Sequence, residues 1–119
     1  WNGSSYVRTY YDAYKGSSSG NVHYWINENG TTEQISFPTV IVLLCEPYIH
    51  PLQLPSVKTV GEGRAIIMHG GKMLDAKWKR GSNLDPFHIV DSSGNTLYIP
   101  KGKPWISLVP NTFSPTFDN

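Results

Sequence analysis

The sequence predicts an all-β domain, mainly antiparallel, forming a small barrel or sandwich of about eight to nine short strands with little helix. Three observations carry that expectation. Runs rich in Tyr, Trp, Thr and Val recur along the chain, and these residues suit a pleated, half-buried surface. Gly- and Pro-containing turn signals separate the runs at close spacing. No window shows a capped 3.6-residue apolar period, and Leu52–Val60 has room for one helical turn at most.

The elements follow in order. Tyr6–Tyr11 reads as the first strand, ended by Asp12 and the flexible run 15–20 of Lys, Gly and Ser. Val22–Ile26 and Thr32–Phe37 form a hairpin across Asn27-Glu-Asn-Gly30, because Asn and Gly tolerate the positive φ that such turns need. Thr39–Cys45 is continuously apolar, as a strand buried on both faces should be, and Pro38 precedes it where a missing amide proton does least harm. Pro47, Pro51 and Pro55 make Glu46–Ser56 an extended surface loop, with Tyr48, Ile49, Leu52 and Leu54 laid against the body or forming a contact surface.

Arg64–His69 and Lys72–Lys79 around Gly70-Gly71 give the clearest hairpin. Leu74, Ala76 and Trp78 point one way, while Met73, Asp75, Lys77 and Lys79 point the other. A third hairpin joins Phe87–Asp91 to Thr96–Ile99, and Trp105–Val109 makes the last strand. No internal repeat is present.

At 119 residues the chain is the size of one domain, residues 1–119, with enough length for a core without staples. Net charge is +1, without the footprint of a nucleic-acid binder. The charge is uneven: residues 1–50 carry −2, whereas residues 58–103 carry +4. Cys45 is the single cysteine, which excludes an intramolecular disulfide framework and any multi-cysteine metal site. After the run Val40–Leu44 it reads as a buried structural thiol. No stretch approaches the ~20 apolar residues of a membrane helix. The chain opens at Trp1 without an initiator Met or signal peptide, so the expectation is a domain cut from a larger protein.

Chemistry-bearing residues are scattered. His23, His50, His69 and His88 lack the i, i+2 or i, i+4 spacing of a compact metal site, so neither metal nor cofactor is expected. Strand pairing could still bring His69 near His88. A hydrolase would need Cys45 with His23 or His50 and Asp75 or Asp85, and nothing in their spacing links them. Asp91 before Ser-Ser-Gly reads as a turn acceptor rather than half of a carboxylate pair. Val60-Gly-Glu-Gly-Arg-Ala65 lacks the Lys-Ser/Thr pair and following helix of a phosphate loop, and reads as a turn or bulge entering a strand. Trp78 beside Lys77, Lys79 and Arg80 is aromatic and basic, but the alternation sends Trp78 to the core and the lysines to the edge surface. Asn2-Gly-Ser4 and Asn29-Gly-Thr31 match the glycosylation pattern.

A longer ordered series covers nearly the whole chain. It runs Tyr6-Val-Arg8, His23, Thr39–Val42, Val60–Ala65, Gly71-Lys72, Ala76–Lys79, Phe87 to Asp91 with Gly94, and Gly102–Ile106 through Leu108-Val-Pro110. This series resembles the C-terminal domain of the YerB-like bacterial lipoproteins, a family of unknown function. Thr39 stands where that family usually carries Asn, and Trp25 where it often carries an acid. The resemblance implies a lipid-anchored, extracytoplasmic protein with a larger N-terminal domain, absent here, and a membrane link only through an anchor outside this fragment. It implies no reaction.

Three functions are therefore weighed. The leading expectation is a non-catalytic binding module of a cell-envelope lipoprotein, with peptidoglycan, an envelope glycan or a protein partner as ligand. Its candidate contact residues are Arg8, His23, Trp25, Lys79 and Arg80. The second is a scaffold that packs on its own N-terminal domain through an apolar patch at Tyr48, Ile49, Leu52 and Leu54. The third is a cell-wall hydrolase or other wall-active enzyme, which requires at least two of His23, His69, His88, Asp75 and Cys45 to converge. A nucleic-acid partner is not expected.

Overall fold

The computed structural model describes residues 1–11 and 20–117. The expected strand end at Asp12 and the Lys/Gly/Ser run up to residue 19 lie outside the described residues. Among those described, all regular structure is strand.

The body is a five-stranded sheet made of β7 (Thr39–Cys45), β10 (Gly61–His69), β11 (Lys72–Arg80), β12 (His88–Val90) and β13 (Trp105–Pro110). Their order across the sheet is β12-β11-β10-β7-β13. The pairs are antiparallel except β13 with β7, which run parallel. The Gly70-Gly71 hairpin forms as the sequence predicts, with both glycines at positive φ (58° and 73°).

Strand alternation places Ile41, Leu43, Cys45, Ala65, Ile67, Ala76, Trp78 and Ile89 on one buried face. Val57, Phe87, Leu97 and Ile99 pack over it. Trp78 is core, as its parity predicts, and its Nε1 donates to the Leu44 carbonyl at 2.9 Å. Cys45 is buried, and burial pushes its thiol pKa up. Leu74 shares the parity of Trp78 but is half exposed, because the cover over this face thins toward the hairpin end.

The strands are shorter and more numerous than expected, and the described residues form no closed barrel. The second half of the third hairpin is reduced to one bridge, Val90 with Thr96, flanked by bonds from the Leu97 amide to the Ile89 carbonyl and from the Asp91 amide to the Asn95 carbonyl.

The Pro-rich segment is a hairpin rather than a loop. It comprises β8 (Pro47–Ile49) and β9 (Pro55–Val57). The His50 amide bonds to the Leu54 carbonyl, and the Lys58 amide to the Glu46 carbonyl. Antiparallel pairs alternate between bonded and non-bonded. Pro47 and Pro55 therefore fall at non-bonded positions, where a missing N–H costs no ladder bond. Where one helical turn was allowed, Gln53 instead closes the hairpin at φ 59°.

The N-terminal third is a three-way junction of broken strands. β1 (Tyr6–Val7) pairs with β6 (Ser36–Phe37), β2 (Thr9–Tyr10) with β3 (Asn21–Val22), and β4 (Tyr24–Ile26) with β5 (Thr32–Gln34). Each of three longer strands thus changes partner at one residue: Arg8, His23 or Ile35. The backbones of those three close a ring. The Arg8 amide donates to the Ile35 carbonyl at 2.8 Å, the Ile35 amide to the His23 carbonyl at 2.8 Å, and the His23 amide to the Arg8 carbonyl at 3.2 Å. Tyr6 docks the junction on the sheet, its hydroxyl accepting the Gly71 amide at 3.0 Å.

Candidate functional site

Two of the sequence-predicted site residues meet at this junction. The Arg8 guanidinium donates through Nη1 to His23 Nδ1. The Arg8 guanidinium lies over the Trp105 ring, 4.8 Å from its centroid. Tyr10 meets the His23 ring edge-on at 5.5 Å. The Arg8 carbonyl, already bonded within the ring of three, also accepts Gln34 Nε2 at 3.0 Å.

Trp105 connects the junction to the sheet. It begins β13, stacks at a tilt on Phe37 at 5.2 Å, and donates its Nε1 to Ser107 Oγ at 2.8 Å. Beneath it lies a cavity of about 480 Å³ lined by Trp25, Ile35, Ser36, Phe37, Pro38, Lys103 and Trp105. Trp25 is thus brought to the neighbourhood of Arg8 and His23. The walls are aromatic and aliphatic carbon, with the Lys103 ammonium as the one charged group. Among the described residues, neither Arg8 nor Lys103 has a carboxylate at ion-pair distance.

Lys79 and Arg80 lie elsewhere. Arg80 pairs with Gly61 at the far end of β10 from His69, ~27 Å away at about 3.4 Å per residue. Its guanidinium donates to the Asp85 and Asn83 carbonyls, each at 2.7 Å, and to Thr59 Oγ1 at 3.1 Å, while covering Phe87. That arrangement ties a loop down. Lys79 is exposed, with Glu62 3.9 Å away.

The residues that a wall-active enzyme would need do not converge among the described residues. His69 Nδ1 bonds to Thr39 Oγ1 at 2.8 Å, His88 sits beside Lys79 on β12, and Cys45 is in the core. Asp75 is held by Arg64 through two hydrogen bonds of 2.6 and 3.0 Å, which keep its carboxyl pKa below the ordinary range. No group of three His, Cys, Asp or Glu is arranged to hold a metal among the described residues.

The sequence did not single out Phe37, Lys103 and Trp105. The motif at Gly102-Lys-Pro-Trp-Ile106 was visible, but only the parallel pairing of β13 with β7 carries it to the junction.

Comparison with known proteins agrees with this architecture. The profile of a family described as "Protein of unknown function (DUF3048) C-terminal domain" matches residues 2–106. The crystal structure of the YerB protein from Bacillus subtilis is similar in fold, with a TM-score of 0.55 at 16% identity. The similarity covers 79% of this chain and 38% of the YerB chain, so this chain spans well under half of that protein's length. No curated protein matches the chain.

Proposed function

The chain belongs to the DUF3048 C-terminal domain family, and we propose that its fold serves as a non-catalytic binding module of a bacterial cell-envelope lipoprotein. The observation that carries this reading is the cavity between Trp25, Phe37 and Trp105, with Lys103 at its lip. Small, largely preformed apolar recesses with a few polar groups are the usual form of a ligand site. The Arg8–His23 contact braces one wall by holding the guanidinium on Trp105. The ligand is an envelope polymer or an envelope protein.

The test is an amide and indole NMR titration with solubilised muropeptides, wall-glycan fragments and candidate envelope proteins. Saturable shifts at Arg8, Trp25 and Trp105 support the reading. Shifts confined to Lys79 and Arg80 would move the site to the other end of the sheet, and no shifts at millimolar ligand would remove it.

A second reading rests on a separate observation. Ile49, Leu52 and Leu54 are exposed at 64%, 72% and 56% on the β8–β9 hairpin. Such a patch favours a scaffold role in which the hairpin packs on the protein's own N-terminal domain. Amide exchange on the full-length protein, compared with this chain alone, separates the two readings: new protection at the hairpin supports the scaffold.

A further inference from the structure

We infer that the outer edge of β13 is a docking site for an extended peptide segment of a partner protein, added to the sheet as a sixth strand. The inference rests on the binding-module reading and names the partner's chemistry.

β13 ends the five-stranded sheet, and no described strand pairs with its outer side. Its polarity follows from one bond: the Asn111 amide donates to the Cys45 carbonyl at 2.7 Å. Along a strand, backbone groups face alternate edges. Ser107 and Val109 therefore share the inward direction of Asn111, toward β7, while the amides of Ile106 and Leu108 face outward. Pro110 would be the next outward position and has no N–H, so the edge offers two donors and then stops.

Apolar recesses lie at both ends of this edge, on opposite faces of the sheet. The Trp105 cavity is on one face. On the other, Leu108 and Pro110 join Tyr48, Ile49 and Val57 around a groove of about 540 Å³. Ile106 and Leu108 extend the core face past its cover, at 51% and 45% exposure. An added strand sends successive side chains to opposite faces, so its backbone pairs with the edge while alternate side chains enter the two recesses. Charge selects the sequence. Residues 92–117 contain two lysines, Lys101 and Lys103, and no acid. The favoured segment is aliphatic or aromatic at alternate positions, with an acidic residue near the Lys103 end.

The test begins by panning a random phage-displayed peptide library on the purified chain. Apolar–acidic peptides should be enriched, and a selected peptide should shift the Ile106 and Leu108 amides and slow their exchange. N-methylating the peptide at alternate residues should abolish binding in one parity and leave it intact in the other. Ile106→Pro removes an outward donor without touching the β7 ladder and should weaken binding about tenfold or more, with the β10–β11 amide spectrum unchanged. Binding without parity dependence, protection outside β13, or self-association of the chain through this edge would overturn the inference. If wall-glycan fragments shift Trp25 and Trp105 while no peptide engages β13, the peptide inference falls and the binding-module reading stands. If neither ligand binds, both fall.

Discussion

Gly63 lies directly across the ladder from Trp78, and the side chain it lacks is the space through which the indole passes. The Trp78 ring crosses β10 at Gly63 to reach the Leu44 carbonyl on β7. A Cβ at position 63 would sit 2.5 Å from Trp78 Nε1 and against that same carbonyl. The β7–β10 register ends at Leu43 with Ala65, so the Leu44 carbonyl takes the indole as its partner. Gly63→Ala should therefore destabilise the chain by about 1–3 kcal/mol through overpacking. Trp78→Phe should cost a similar amount, because it leaves a buried acceptor unpaired. Denaturant midpoints measure both, and the double variant should fall short of additivity because the two sites share one contact.

The β8–β9 turn carries the opposite kind of defect. Gln53 is held in the left-handed region, where a Cβ is penalised by about 1–2 kcal/mol. It follows a turn closed by the Gln53 amide on the His50 carbonyl, a position that glycine occupies without strain. Gln53→Gly should raise stability by about 0.5–1 kcal/mol after the extra unfolded-state entropy of glycine is subtracted. Thermal unfolding of the two chains is the check, and a lower midpoint for the glycine variant would contradict the strain argument.

Two carboxylates with lowered pKa values should make the fold's stability depend on acid. The Asp91 carboxylate accepts the Asn95 and Ser93 amides at 2.9 and 2.8 Å, which lowers its pKa, and the Arg64 hydrogen bonds lower that of Asp75. A carboxyl whose folded pKa is depressed stabilises the fold above its unfolded value, 3.8 here. That contribution is lost as pH falls through the lower, folded value. Asp91→Asn keeps an acceptor oxygen but removes the charge, so it should flatten the acid limb of the stability–pH curve. An unchanged acid limb in both Asp91→Asn and Asp75→Asn would assign the acid sensitivity to other groups.

What was legible in the sequence follows the range of the interactions. Gly70-Gly71 and Asn27–Gly30 signal turns because φ is a local property, and Trp78 was placed in the core by strand parity alone. The proline hairpin was hidden because prolines argue against a ladder unless the bonded parity is known, and that parity is set by Glu46 with Lys58. The site divides in the same way. Arg8, His23 and Trp25 stood out as chemistry-bearing residues of the N-terminal third. Trp105 reaches them through a parallel pairing that leaves no periodic mark, and Arg80 resembles a ligand contact until its loop carbonyls are seen.

The ring of amides at Arg8, His23 and Ile35 makes a final prediction about cooperativity. Each of the three residues donates to the next around the ring, so removing one donor breaks the junction while leaving the five-stranded ladder intact. Ile35→Pro removes the bond to the His23 carbonyl, a loss of about 1–3 kcal/mol for a partly buried acceptor. Ile35→Val keeps the donor and controls for the altered cavity wall. In the proline variant the Arg8 and His23 amides should exchange roughly ten- to hundredfold faster, while those of Ile66 and Ile67 in β10 keep their protection. The Trp25 and Trp105 indole signals should shift in step, because Ile35 forms one wall of the cavity they line. Equal loss of protection across β10 would mean that junction and sheet unfold as one unit, and the cavity wall could then not open separately from the core.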